Sequence, residues 1–298
     1  MTKKINFNIG PRDIELLTAL DRSPMTARQL CRLSETFAAP FADEDNLRRR
    51  MRTLADAELV NKFPYAIACD GRSPSYYKLT QQGYRMLYGV DATLPKRRYF
   101  QPVSTGHHHH TFCLAETIVH LCVTAKQNDA EVLHFSRENS VKLEADPFVL
   151  FPDCAFVIRR ADGKTFPFVV ELDNGTERVR SKQDTESIER KLRGYDAHQS
   201  RFDAHDPERY LVLFITTRSE IRLRNILDTA ANIMIQPQRT VFIGVEFQRF
   251  LAADPFVVPL FEDNRNLRRA MIPLSPSNAE NQRQETPVFV RSVMAPVL

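Results

Sequence analysis

The sequence has no apolar run that approaches the roughly 20 residues of a membrane-spanning helix. Its first residues, MTKKINFNIG, also lack the long apolar segment of a secretory signal. We therefore expect a protein that makes no membrane contact and stays in the cytoplasm.

Cysteines are few, and no two of them form a CxxC pair. The five cysteines are scattered, at positions 31, 69, 113, 122 and 154. An odd number without close pairs argues against a disulfide framework and against a zinc ribbon. We expect reduced thiols that are mostly buried.

A strong overall charge is missing as well, since the net charge is +4. The charge is unevenly placed: residues 1–105 hold 17 Lys/Arg and 11 Asp/Glu, and the rest hold 24 and 26. This basic first third indicates that contact with a polyanion is concentrated at the amino end. The length of 298 residues and the 43% of hydrophobic residues favour a globular protein of two domains.

Residues 1–90 carry the pattern of a winged helix-turn-helix. Helical spacing of apolar residues predicts helices at 12–22, 26–33 and 43–58. Strands at 59–68 and 75–79 flank the turn DGRSP, and Thr80 can cap a fourth helix. We assign residues 1–90 to a DNA-binding domain of this type, and the proline-containing residues 91–106 to a linker.

The third helix carries the chemistry of this domain. One of its faces is apolar, with Leu47, Met51 and Leu54. The opposite face presents Arg48, Arg49 and Arg52. An arginine fork can bind phosphate or the edge of guanine, and a single helix fits the major groove. An isolated helix of this kind would more often be a solvated face, and some such domains bind proteins instead.

The hairpin predicts additional contacts with duplex DNA. Arg72 and Lys78 lie in or beside the wing, where they are expected to contact the DNA backbone. Winged helices often pair to bind two half-sites, so a homodimer is expected.

A run of four histidines, His107–His110, follows the linker. A metal site is one interpretation, because His109, Cys113, Glu116 and His120 would share a helix face. The spacing fits no standard zinc site, and a polar helix start explains the run better.

Residues 107–275 indicate a mixed α/β domain on a central sheet. The segments VLHFSR, FVLFPDCAFVIRR and TFPFVVELD predict three antiparallel strands. A helix at 182–202, the strand YLVLFITT, a helix at 219–233 and the strand TVFIGVE follow. Residues 276–298 form a carboxyl-terminal tail without catalytic features.

Three acids at strand ends form the second candidate site. Asp153 follows Pro152, and Glu171 and Asp173 share one face of the next strand because side chains alternate. Carboxylates gathered in one corner repel one another unless a cation, a proton or a basic residue compensates. Three of them would form a hard oxygen-rich site suited to Mg²⁺ or Mn²⁺. Such an ion could polarise a phosphoryl oxygen.

Lys191, on the flank of the helix that follows, is the candidate for a catalytic lysine. It could assist the phosphate in a reaction. It could equally pair with Glu171 or Asp173 and neutralise a structural cluster.

Pro152-Asp153 and Glu171-Leu172-Asp173 resemble the metal-binding motif of PD-(D/E)xK nucleases. The resemblance implies a nuclease-like fold for residues 107–275. It also assigns catalytic positions to Asp153 and Glu171. The departure is Asp173, which stands where the motif lysine belongs.

The chain also resembles the replication-relaxation family over most of residues 10–217. The motif positions of that family are matched here by Glu171, Asp173, Gly175, Thr176, Glu177, Lys191, Leu192 and Tyr195. The resemblance implies a DNA-binding protein of a plasmid or mobile element that acts in replication, relaxation or mobilisation. Its expected partners are double-stranded DNA and replication or mobilisation proteins.

Two other functions stay open on the sequence alone. One is a Mg²⁺-dependent nickase or endonuclease that uses Asp153, Glu171 and Asp173 for the metal and Lys191 for the phosphate. The other is a winged-helix transcriptional repressor whose second domain senses a ligand or a partner.

Overall fold

The computed structural model describes residues 8–67, 73–177, 179, 187–203 and 206–273. Eight α-helices lie in these ranges: α1 (Pro11–Arg22), α2 (Ala27–Leu33), α3 (Glu44–Asp56), α4 (Gln81–Tyr88), α5 (His108–Gln127), α6 (Ile188–Gln199), α7 (Glu220–Ile233) and α8 (Phe247–Ala252). The carboxyl-terminal tail at 276–298 lies outside the described residues.

The strands of the described ranges form three sheets. They are β1 (Met25–Thr26), β2 (Val60–Pro64), β3 (Ser75–Leu79), β4 (Glu131–Ser136), β5 (Leu143–Ala145), β6 (Phe148–Leu150), β7 (Cys154–Arg159), β8 (Thr165–Asp173), β9 (Leu211–Thr216), β10 (Phe242–Glu246), β11 (Phe261–Asp263) and β12 (Arg268–Arg269). Short 3-10 turns lie at Ser34–Thr36, Arg97–Phe100 and Thr105–His107. The chain is therefore a mixed α/β protein.

The amino-terminal elements follow in the predicted order, because local capping fixes where the helices begin. Thr26 Oγ1 accepts a hydrogen bond from Gln29 N at 3.2 Å, and Gln29 Oε1 accepts one from Thr26 N at 2.8 Å. Asp43 Oδ1 caps α3 by accepting from Asn46 N at 2.7 Å. Strands β1, β3 and β2 form a small antiparallel sheet beside these helices.

The fourth helix packs closely against the end of the third. Thr80 Oγ1 caps α4 by accepting from Gly83 N at 3.0 Å. A Cβ atom on Gly83 would lie 2.0 Å from the backbone oxygen of Leu59. Glycine is required here because the backbone of α4 approaches the segment after α3 too closely for any side chain.

The remainder is built on a seven-stranded mixed sheet in the order β12-β11-β10-β9-β8-β7-β4. Strands β8, β9 and β10 are parallel neighbours, and the other pairs are antiparallel. One face of the sheet, with Leu213 and Ile215, packs into the same core as α5. The other face, with Val212 and Phe214, packs against α6 and α7.

Both halves of the chain share one hydrophobic core, which extends from Leu16 to Ile272. Helix α2 contacts α5 through Gln29, whose Nε2 donates to Glu116 Oε1 at 2.9 Å. Residues 91–106, the expected linker, are held by Tyr99 Oη, which donates to Asp21 Oδ1 at 2.7 Å. The amino-terminal elements therefore pack against α5 and share a hydrophobic core with the larger sheet. The domain boundaries at residues 90 and 106 stay predictions.

Two expected elements differ from those observed. The segment predicted as one strand, FVLFPDCAFVIRR, forms β6 and β7, which belong to different sheets. Pro152 separates them because it has no N–H to donate to a ladder. The helix expected from residue 182 is described from Ile188, where Ser187 Oγ caps it by accepting from Arg190 N at 3.2 Å. Residues 180–186 lie outside the described ranges.

Three of the four described cysteines, Cys113, Cys122 and Cys154, are buried, and all four are free thiols. Within the same ranges, none of the helices combines the length and the apolar character needed to cross a membrane.

Candidate nucleic-acid interface and acidic site

The outer face of α3 is held toward solvent because its inner face is buried. Leu47, Met51 and Leu54 are fully enclosed in the shared core. Arg48, Arg49 and Arg52 are exposed on the opposite side. The arginine face that the sequence predicts is therefore present and accessible.

The three exposed arginines differ in their local partners. Arg48 Nη2 lies 2.6 Å from Glu44 Oε1, one helical turn earlier. Arg49 donates to Asn46 Oδ1. Arg52 makes no hydrogen bond or ion pair with the described part of the chain. Arg48 is thus partly neutralised in the free protein, whereas Arg52 has no such partner among the described residues.

Arg50, inside the same run of arginines, has a different role. It binds the buried carboxylate of Asp13 on α1, and its Nη2 donates to Asn8 O at 2.9 Å. The hydrogen bond to Asp13 is the largest influence on the pKa of Arg50 and raises it, against the opposing effect of burial. Arg50 therefore anchors α3 to α1 and leaves its neighbours to face outward.

An open cleft of about 1240 Å³ runs along this arginine face. Its walls come from α2, α3, the β2–β3 hairpin, α5 and α8. Six basic residues line it: Arg28, Arg32, Arg48, Arg49, Arg52 and Lys62. Three acids, Glu44, Asp45 and Glu116, also line it, so the cleft has a surplus of positive charge.

The two expected wing residues have different outcomes. Arg72 lies outside the described residues. Lys78 is buried, and its Nζ donates to Gln101 O at 2.7 Å. Burial lowers the pKa of Lys78 to about 8. The expected contact of Lys78 with a DNA phosphate is therefore corrected. The segment before α5 covers this side chain, and Gln101 O accepts the hydrogen bond of its ammonium group.

Asp153 lies immediately before the first residue of β7, on the side of the sheet that faces α5. Its Oδ2 accepts from Leu172 N at 2.7 Å, and its Oδ1 lies 3.2 Å from His110 Nε2. Burial lowers the pKa of His110, but the hydrogen bond and charge of Asp153 outweigh it and leave the pKa raised. A histidine from the run at the start of α5 is thus the direct partner of the first acid.

Glu171 is enclosed by α6. Its Oε2 accepts from Lys191 Nζ at 3.0 Å, and its Oε1 accepts from the hydroxyl of Tyr195. Lys191 Nζ also lies 2.9 Å from Glu177 Oε1. Burial raises the pKa of Glu171. Burial disfavours the charge on Lys191, but the charges of Glu171 and Glu177 outweigh it and raise its pKa. At neutral pH the ammonium of Lys191 is therefore retained between two carboxyl groups.

Asp173 is held by α7 rather than by α6. Arg222 binds it with both ends of its fork, Nε to Oδ2 at 2.6 Å and Nη2 to Oδ1 at 2.8 Å. Thr216 Oγ1 and Gly175 N donate to the same carboxylate at 2.8 and 3.0 Å. Burial raises the pKa of Asp173, but these donors outweigh it, so the pKa is lowered. Asp173 is thus a fully paired anion.

The three carboxylates do not fit a divalent cation in this arrangement. A metal ion at Glu171 would displace Lys191 or Tyr195, and one at Asp173 would displace the fork of Arg222. The structure places Lys191 Nζ between Glu171 and Glu177. Of the four residues predicted as catalytic, the three acids thus lie near the ends of β7 and β8 and Lys191 lies on α6, and each acid has a different basic partner. The predicted trio of metal ligands is not assembled.

The sequence does not reveal His110 and Arg222 as partners of the acids. The spacing of the histidine run predicts contacts only between residues of α5. It does not predict the contact of His110 with Asp153, which lies 43 positions later in the chain. No local pattern marks Arg222, since α7 carries a second arginine, Arg224, only two positions later. Gly175 is expected at a turn, and its φ of +72° agrees with the left-handed turn that brings its N–H to Asp173.

Comparison with known proteins gives one match. The family model described as Replication-relaxation matches residues 17–208, which is more than half of the chain. No curated protein matches the chain. No solved structure matches it either.

Proposed function

Because the chain belongs to the replication-relaxation family, which implies a role related to plasmid replication, we propose that it binds duplex DNA through the outer face of α3. The observation that carries this proposal is the row of exposed arginines on a helix whose opposite face is anchored in the core. A helix fixed in this way can enter the major groove without first becoming ordered.

Arg49 and Arg52 are the residues we assign to the closest contacts. Their side chains have no carboxylate partner among the described residues, so binding DNA breaks no ion pair. A guanidinium fork can bind a phosphate or the O6 and N7 atoms of guanine. Arg48 must first leave Glu44, so it contributes less to affinity.

The positive charges along the walls of the cleft favour binding of duplex DNA over binding of a small ligand. Arg32 of α2 and Lys62 of β2 line the same cleft as the arginines of α3. Positive charges on both sides of a helix in the major groove are suited to the two phosphate backbones that border the groove. The wing itself, with Arg72, adds a further expected contact.

The acids of the second half are proposed to stabilise the fold. Glu171 holds α6 through Lys191 and Tyr195, and Asp173 holds α7 through Arg222. Each of these two buried acids has a basic partner, as burial of a charged carboxylate requires. The nuclease-like half would then support DNA binding, self-association as a homodimer, or recruitment of replication or mobilisation proteins, without cleaving DNA.

The first experiment measures binding of a fluorescent duplex by anisotropy over a range of salt concentrations. Arg49→Ala/Arg52→Ala is expected to weaken binding, and the slope of log K against log salt should fall by about 0.9 for each phosphate that the variant no longer neutralises. The matched control removes Arg85, an exposed arginine on α4 outside the cleft. Equal affinity and slope for wild type and the double variant would refute DNA binding by α3.

A second experiment separates binding from cleavage. Supercoiled plasmid is incubated with the protein in Mg²⁺ or Mn²⁺, and its topology is read on a gel. We expect binding without nicking. Nicking by wild type but by neither Asp153→Ala nor Glu171→Ala would replace this proposal with the nickase hypothesis.

A further inference from the structure

The residues around Asp153 differ from those around the other two acids, because no lysine or arginine is paired with this carboxylate in the described part of the chain. Its neighbours are His110 of α5 and Glu138, which follows β4. One ligand atom from each of His110, Glu138 and Asp153 lies within 4.8 Å of the others. We infer that these three residues form a binding site for a divalent transition-metal ion of the Zn²⁺ or Mn²⁺ type.

The separation of two of the ligand atoms fits a shared ion without movement. His110 Nε2 and Asp153 Oδ1 are 3.2 Å apart. With metal–ligand bonds of about 2.1 Å, two ligands are about 3.0 Å apart at a right angle and about 3.4 Å apart in a tetrahedron. The observed distance lies between these values.

Both ligands are oriented by neighbouring groups, as metal ligands in proteins usually are. Leu172 N binds Asp153 Oδ2, which leaves Oδ1 directed at the histidine. The amide of Asn174 lies 3.0 Å from His110 Nδ1, and Thr217 Oγ1 lies 3.0 Å from that amide. An ion on Nε2 requires a proton on Nδ1, and this N–H can donate a hydrogen bond to Asn174 Oδ1 when the amide is turned over. The hydroxyl of Thr217 can donate or accept, so it suits both orientations.

Glu138 supplies the third ligand from the solvent side. It is exposed, and its Oε1 accepts from Asn139 Nδ2 at 3.1 Å, which leaves Oε2 available. His110 and Asp153 are only 19% and 16% exposed, so the ion would sit in a recess that Glu138 closes. Two carboxylates balance the charge of a divalent ion.

The donor set favours transition metals over Mg²⁺. Imidazole nitrogen suits Zn²⁺ and other first-row ions, whereas Mg²⁺ prefers an octahedron of oxygen atoms. Three protein ligands also leave positions for water. This site shares Asp153 with the trio expected from the sequence but does not include Glu171, whose oxygens bind Lys191 and Tyr195, or Asp173, whose oxygens bind Arg222.

The test is direct metal binding by the full-length protein after treatment with a chelator. Zn²⁺ and Mn²⁺ are titrated calorimetrically, and Co²⁺ is used as a spectroscopic probe whose visible bands report its ligands. We expect one ion per chain with the affinity order Zn²⁺ above Mn²⁺ above Mg²⁺. Absence of stoichiometric binding by the wild type would overturn the proposal.

The variants identify the ligands. Glu138→Gln and His110→Ala are each expected to weaken binding by at least about 100-fold, since even the loss of an outer partner typically costs 10–100-fold. The controls are His109→Ala, an exposed neighbour in the histidine run, and Glu144→Gln, an exposed acid paired with Lys142. Because Glu138 is exposed, its variant should fold normally. Wild-type affinity in Glu138→Gln and His110→Ala would refute the assignment.

This inference is independent of DNA binding by α3. Failure of the anisotropy experiment with normal metal binding would refute only the proposed function. Failure of the calorimetric titration with normal DNA binding would refute only the metal site.

Discussion

Replacement of Arg222 by methionine tests the view that Asp173 is a structural anion. The change removes the fork that binds Asp173 and leaves the carboxylate with Thr216 and the backbone of Gly175. The side chain of Asp173 is only 3% exposed, so solvent cannot replace the missing cation. We expect a large loss of stability.

The magnitude follows from the hydrogen bonds that the substitution removes. Two hydrogen bonds between charged groups contribute about 1.5–3 kcal/mol each, and removal of one partner from a buried ion pair costs about 3–5 kcal/mol. Arg222 is 19% exposed and Asp173 keeps two donors, so the lower end applies. We therefore expect the free energy of unfolding to fall by about 3 kcal/mol.

Urea unfolding followed by circular dichroism measures this loss. Arg224→Met is the matched control, since Arg224 lies on the same helix and is exposed. Its effect should stay within about 0.5 kcal/mol. The double variant Asp173→Asn/Arg222→Met should be more stable than Arg222→Met, because the neutral amide needs no counter-ion.

The loss should also depend on pH. In the wild type the pKa of Asp173 is lowered, so its contribution is present above the unfolded pKa of about 3.9 and is lost as the pH falls through the native value. Without Arg222 the buried carboxyl group takes up a proton more readily. The difference between wild type and Arg222→Met should therefore be largest at neutral pH and shrink toward pH 4. A loss below about 1 kcal/mol at neutral pH would show that Asp173 does not depend on a cationic partner.

Two further predictions concern the amino-terminal half. Gly83→Ala should lower the free energy of unfolding by about 1–3 kcal/mol in urea, because its Cβ meets the backbone of Leu59, whereas Gly106→Ala has open space and serves as the control. Lys78 has a native pKa of about 8, below its unfolded value of about 10.4. The stability of the wild type relative to Lys78→Met should therefore rise between pH 8 and 10, where only the unfolded state keeps the proton; parallel stability curves would contradict this.

The elements that could be predicted are those with local signals. The starts of α2, α3 and α4 each have a capping residue followed by an apolar period, and both features act within one helical turn. The outward direction of Arg48, Arg49 and Arg52 follows from that period alone. The acids also stand where the strand pattern predicts, at the ends of β7 and β8.

Partners that are distant in sequence could not be predicted. Asp173 meets Arg222 49 positions later, and Asp153 meets His110 43 positions earlier. Neither distance is a period of a helix or a strand, so only the topology brings these side chains together. Lys78 illustrates the same limit. Its position in the hairpin follows from the sequence, but the hydrogen bond that it donates goes to Gln101 O, 23 positions later in the chain.

The arrangement of charge around β8 connects these findings. Asp173 adds a negative charge to a buried strand end that already holds Glu171. Two helices supply the compensation, α6 through Lys191 and α7 through Arg222, and both lie on the same face of the sheet. Asp153 is reached from α5, on the opposite face, and receives a histidine instead of a strong cation. A histidine can release its proton to solvent and bind a metal ion through the free nitrogen near neutral pH, whereas lysine and arginine keep their protons. Glu171 and Asp173 thus stabilise the packing of helices on one face of the sheet. Asp153, which is reached from the opposite face, is the acid that we propose binds an ion.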